Sequence, residues 1–150
     1  MKVFQDLAEF TTAAGTELGP TDWLPIDQQR VDGFADATDD HQWIHVDPER
    51  AASGPFGGTI AHGLLTLALL PRFMHELYRV DNVTMAVNYG FNKVRFITPV
   101  PVGAKLRASS VISRVDALDG AVQATMVTTI EAEGASKPAA VIESIVRYVG

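Results

Sequence analysis

"HGLLTLALLPRFMHELYR", residues 62 to 79, decides the fold. Leu64, Leu65, Leu67, Ala68, Leu69 and Leu70 put apolar side chains all round one helix, so the pattern predicts a buried helix rather than a surface one. Pro71 loses a helical hydrogen bond and clashes one turn back, while Phe73, Met74 and Leu77 resume the helical spacing. A kink at Pro71 is the expectation.

Downstream of Asn82 everything reads as strand. Val83, Met85, Val87, Tyr89 and Phe91 alternate with smaller or polar residues, and then Val94 and Phe96 take over the apolar positions. A phase slip of that kind between Gly90 and Asn92 predicts a bulge. "TPVPVG" turns the chain into "AKLRASSVISRV", and Asp119-Gly120 is a strong hairpin signal. Residues 122 to 132 alternate cleanly, "GASKP" makes another turn, and a last strand runs from Ala139 to Val149. One buried helix followed by four strands on short turns is an α+β pattern, an antiparallel sheet curled round a helix.

Upstream, "FQDLAEFTTAAG" reads as a short helix ended by Gly15, and "TELGPTDWLPI" as extended chain. Asp27 is placed to cap a helix carrying Val31, Phe34 and Ala35 on one face and giving out near Thr38. "SGPFGGT", residues 53 to 59, is a loop. With 150 residues, 47% hydrophobic and 20% charged, the chain suits one domain over 1–150 with a real core.

Composition narrows the function. Without cysteine there is neither a disulfide framework nor a thiolate metal site. "MKVFQDLAEF" holds no signal-peptide run, and "GLLTLALLP" is too short to cross a bilayer, so a soluble cytoplasmic protein is expected. A net charge of −6 argues against nonspecific nucleic-acid binding. Between Asn82 and Val115, however, Lys93, Arg95, Lys105, Arg107 and Arg114 stand without an acidic residue. The plain reading is that they solvate outer faces and sheet edges; the sharper one is a zone for a ligand's phosphates.

The chemistry is concentrated in "TDDHQWIHVDP", residues 38 to 48. His41 and His45 are four apart, as in a helical zinc site, with a third ligand to come from His62 or His75. The glutamate of that motif is missing, so the metal reading is weak. Alternatively Asp40 and His45, converging in a bent loop, could take and give a proton at neutral pH. A helix cap and a solvated loop histidine would also satisfy these residues. "GGTIAHG", residues 57 to 63, adds a glycine loop leading into a helix N-terminus, whose free N–H groups suit a developing oxyanion.

"DDHQWIHVDP", "FGGTIAHGLLT" and "KVRFITPVPVG" together resemble the MaoC-like family of R-specific enoyl-CoA hydratases, over most of the chain and most sharply between Asp36 and Thr66. That family's motif runs glycine, aspartate, any residue, asparagine, proline, aliphatic, histidine. Asp40 and His45 occupy the aspartate and histidine, while Asp39, Gln42 and Trp43 replace the glycine, asparagine and proline. The resemblance implies a hot-dog fold, a long buried helix wrapped by a curved antiparallel sheet. It implies reversible hydration of trans-2-enoyl thioesters to R-3-hydroxyacyl thioesters, a step of fatty acid metabolism. Asp40 and His45 would share the proton transfers, in an order the sequence leaves open. The Gly63 N–H would polarise the thioester carbonyl, Gln42 would orient water or substrate, and Trp43 would reshape the acyl pocket. No metal or cofactor is expected; the CoA or acyl-carrier-protein thioester is itself the substrate. A homodimer is expected by sheet extension, with neither nucleic acid nor membrane as partner. The rivals are a hot-dog acyl-CoA thioesterase and a non-catalytic acyl-thioester binding module.

Overall fold

The computed structural model describes residues 1–150. Its first half supplies short elements: strand β1 (Lys2–Phe4), helix α1 (Leu7–Thr11), strands β2 (Glu17–Leu18) and β3 (Leu24–Pro25), then helices α2 (Gln28–Thr38), α3 (Trp43–Val46), α4 (Pro48–Ala52), α5 (Gly63–Ala68) and α6 (Leu70–Leu77). After β4 (Tyr78–Val80) come four long strands, β5 (Met85–Phe96), β6 (Lys105–Leu118), β7 (Ala121–Ala132) and β8 (Ala140–Val149).

β6, β7, β8 and β5 lie in that order in one antiparallel sheet, with β2 and β3 both pairing along the outer side of β6. Asp119 and Gly120 form the two-residue loop between β6 and β7, with Gly120 at φ +68. β5 carries two register shifts against β8, at Asn88/Gly90 and at Phe91/Lys93, where the expected bulge lies.

The hot-dog fold is present, with three departures from the expectation. The helix is broken at Leu69, so Pro71 falls at the second position of α6. Its missing N–H costs nothing there, because the first turn of a helix has no intrahelical acceptor to lose. The helix stops at Leu77 rather than Arg79, because Tyr78–Val80 pair in parallel with β1. Nor is the helix buried all round: Leu64 is 59% exposed.

The phase of β5 also differs from a simple apolar-in reading. Ala86 pairs with buried Tyr148 and Asn88 with buried Val146, so these two face the helix. Met85, Val87 and Tyr89 therefore stand on the outer face, all exposed. After the bulges the inward positions pass to Val94, packed on the core, and to Phe96.

The interior has two centres. One packs Leu65, Leu70 and Phe73 of α5 and α6 against Val31 of α2 and Leu106, Ile130 and Ile142 of the sheet. The other gathers Phe4, Phe10, Tyr78, Met126 and Tyr148. Truncating a fully buried phenylalanine such as Phe73 costs about 3–5 kcal/mol. The first centre fixes α5 against α2, which brings residues 40 to 63 together.

Candidate active site

α2 begins where Asp27 accepts a hydrogen bond from the Arg30 N–H at 2.8 Å and ends at Asp39, in the left-handed region at φ 59. Glycine occupies this place in the family motif, and aspartate is among the few side chains that adopt the conformation readily. The reversal it makes delivers Asp40 to the start of α3. Gln42, the N-cap of α3, makes no side-chain cap bond and is exposed.

His45 is buried and its ring is fixed by a 2.7 Å hydrogen bond from Nδ1 to the Ile60 carbonyl. A carbonyl only accepts, so Nδ1 carries the proton and Nε2 is left with its lone pair. The main chain is tied down beside it: Ile60 N–H donates to the Ile44 carbonyl at 3.0 Å, and Gln28 Nε2 donates to the His45 carbonyl at 2.7 Å. Thr59 Oγ1 in turn donates to Gln28 Oε1 at 2.8 Å. Burial pushes the His45 pKa below the ordinary 6.5, a shift that the bond to Ile60 only partly opposes.

Asp40, His45 and His62 each bring one ligating atom within 4.8 Å of the others. Asp40 is half exposed, with its Oδ2 4.0 Å from His62 Nε2. Separations of up to 4.8 Å among these atoms leave room for one water between the Asp40 carboxylate and the His45 imidazole. The same three side chains are the ones with donor atoms for a metal. His45 Nδ1 and His62 Nε2 each donate to a main-chain carbonyl, His62 to that of Asp40 at 2.9 Å, which leaves His45 Nε2 and His62 Nδ1 as the free lone pairs of the cluster.

His45 and Gly63 line a cavity of about 350 Å³ whose other walls include Thr66, Phe96, Thr98 and Ala139. The Gly63 N–H makes no backbone hydrogen bond and is free to donate. α5 has only six residues, so the useful feature is this N–H itself rather than a helix dipole. A Cβ on Gly63 would sit 3.0 Å from the ring of Phe96.

Other residues of the opening stretch lie elsewhere. His41 turns back to Asp36 at 2.8 Å, and this bond raises its pKa. His75 lies on α6 and is exposed. Trp43 is packed between the Arg50 guanidinium, 4.4 Å from its ring, and Gly54, so it does not shape the cavity as expected. Gln42 does not line the cavity either. Of the basic zone, Lys105, Arg107 and Arg114 pair with Glu133, Glu131 and Asp116. Lys93 and Arg95 border a separate hollow on the outer face of the sheet, beside Ile97. No helix is long and apolar enough to cross a membrane.

Gln28 and Thr59 were not readable as site residues from sequence, and His62 entered only as a possible third metal ligand. Gln28 lies 17 residues before its partner His45, and nothing in its surroundings signals the bond.

The family model for the MaoC-like domain matches residues 9–135. The 3-hydroxyacyl-thioester dehydratase Z of Mycobacterium tuberculosis is 60% identical over 150 residues, which is 99% of either chain. Among solved structures, the (R)-hydratase from A. caviae superposes with a TM-score of 0.69 at 25% identity, covering 89% of this chain and 94% of that one. A monoamine oxidase regulatory protein from Archaeoglobus shares the fold at a TM-score of 0.79 and 20% identity, covering 99% and 96%. With a full-length relative this similar and a family model over most of its length, the chain belongs to the MaoC-like family, and it is a hydro-lyase, a dehydratase built on the hot-dog fold.

Proposed function

We propose that the protein catalyses reversible hydration of trans-2-enoyl thioesters to R-3-hydroxyacyl thioesters, with Asp40 and His45 as the reacting pair. The observation that carries this reading is the His45 ring. It is held by Ile60 with Nε2 bare, close to the Asp40 carboxylate, in the wall of the cavity that Gly63 also lines.

In hydration, neutral His45 takes a proton from water at Nε2 while Asp40 accepts a hydrogen bond from the other O–H and faces the imidazolium that forms. The water oxygen bonds to C3, and the C2–C3 π pair moves toward the thioester oxygen. The Gly63 N–H donates to that oxygen as its negative charge develops. The proton held by the pair then passes to C2, leaving both side chains as they began. Dehydration is the same path reversed. Nothing in these steps calls on a metal or cofactor.

The thioester carrier, CoA or acyl carrier protein, would leave its phosphate outside the cavity; Lys93 and Arg95 make no ion pair and border a hollow that shares Ile97 with the cavity wall. We assign the oligomer as a homodimer formed at β5. This strand has a free edge over 12 residues, and Met85, Val87 and Tyr89 are uncovered beside it.

The test is crotonyl-CoA. Loss of enoyl absorbance with no thiol released supports hydration, release of free thiol identifies a thioesterase, and tight binding without turnover identifies a binding module.

A further inference from the structure

Among the ionisable side chains round the site the most deeply buried is His62, at 2% exposed. Its Nε2 lies 2.9 Å from the Asp40 carbonyl oxygen, which can only accept, so Nε2 carries the proton. Nδ1 is then a buried acceptor with no partner. Leaving such an atom unsatisfied is destabilising, a cost that an aliphatic or phenyl side chain of similar size would avoid. Packing alone therefore does not account for a histidine here.

The ring has a second contact with the site. It stacks on His45, with centroids 3.8 Å apart and planes at 26°, and meets its other neighbour Phe34 at 4.9 Å with the rings tilted by 56°. One side chain thus reaches the main chain of Asp40 through its edge and the imidazole of His45 through its face. Gly63 is its neighbour in sequence. We infer that His62 is a positioning residue: it anchors the backbone of Asp40 and braces the ring of His45, and so sets the separation of the two reacting groups. This rests on Asp40 and His45 being the reacting pair.

Phe and Gln separate its two contacts. His62→Phe keeps a ring to stack on His45 and loses the N–H donor; His62→Gln keeps a donor for the Asp40 carbonyl. A displacement of about 1 Å at a reacting group costs on the order of 100-fold. His62→Phe should therefore lower kcat by roughly that factor with KM changed less than about threefold, and His62→Gln should recover about tenfold or more of it. On an Asp40→Asn background the added His62→Phe should cost less than about twofold, because there is no longer a placed carboxylate to disturb. Losses that multiply, or a Gln variant no better than Phe, would reduce His62 to a packing residue. If Asp40→Asn alone turns over normally, the reading of the pair fails. If Asp40→Asn is slow and folded His62→Phe is normal, only the role of His62 fails. Should His62→Phe not fold, nitrogen-15 NMR of the native histidines decides: the Nε2–H tautomer is expected at His62, and the Nδ1–H tautomer would overturn the inference.

Discussion

Phe96 lies across Gly63, so close that a methyl group at residue 63 would meet its Cδ2 at 3.0 Å and Cγ at 3.1 Å. The glycine therefore admits the phenyl ring and leaves its own N–H open to the cavity at the same time. Gly63→Val should lower turnover by roughly 100-fold or more, near the cost of removing an oxyanion donor. Because the valine also displaces Phe96, the control is Gly63→Val with Phe96→Ala. That pair should regain the thermal midpoint and remain slow. Recovery of turnover along with stability would place the oxyanion donor elsewhere.

Asp40→Asn and His45→Gln should each keep the fold and lose about 100- to 10,000-fold in hydration rate, the range for a positioned acid or base. If the two act as a unit, the double variant is little worse than either single one. Steady-state rates on crotonyl-CoA read this directly, and a loss under about tenfold in Asp40→Asn counts against the assignment.

Burial lowers the His45 pKa, so the neutral base persists below the usual histidine range. The acid limb of the kcat/KM profile should be centred below 6.5. The stability consequence has a definite sign. The unfolded chain protonates His45 near 6.5 and the folded protein only at lower pH, so folding stability is lost as pH falls through this window. His41, raised by Asp36, contributes in the opposite sense and loses its contribution as pH rises. His45→Gln should therefore flatten the acid-side loss of the thermal midpoint, and His41→Gln should steepen it. An acid limb above 6.5 is the contrary result.

His41 and His75 lie outside the reacting geometry, and their Gln variants should turn over within about threefold of the parent. Activity should also survive prolonged EDTA. A chelated enzyme that regains its rate on adding zinc would make Asp40, His45 and His62 a metal site instead.

Val87→Lys on the outer face of β5 should weaken the dimer, since pairing of two β5 edges sets like charges near one another. Light scattering at micromolar protein should then show monomer where the parent gives twice the mass. A parent already monomeric removes the basis for this pairing.

The sequence was most informative where local chemistry dictates structure. Asp27 capping α2, the Asp119-Gly120 hairpin and the bulge in β5 each follow from residues adjacent in the chain. It was least informative where distant segments compete. Tyr78–Val80 leave the helix because β1 offers a parallel partner, and no local signal gives that away. The outward side of β5 was hidden because Met85, Val87 and Tyr89 look like core residues until Ala86 and Asn88 are found facing the helix. In the site, Asp40, His45 and Gly63 stood out as a spaced motif. Gln28 and His62 bond to main-chain carbonyls, which any residue could supply, so no pattern of side chains marks Gln28, and His62 stood out only as a possible metal ligand.

The two halves of the cavity come from different parts of the chain. His45, Ile60 and Gly63 lie in the stretch from α3 to the start of α5, whereas Phe96, Thr98 and Ala139 belong to the rim where β5 and β8 meet. Bulk at the rim can therefore change while the proposed reacting pair stays in place. Drift in one region need not be matched in the other. Phe96, the rim residue in contact with Gly63, is where the two lines of descent are least free of each other.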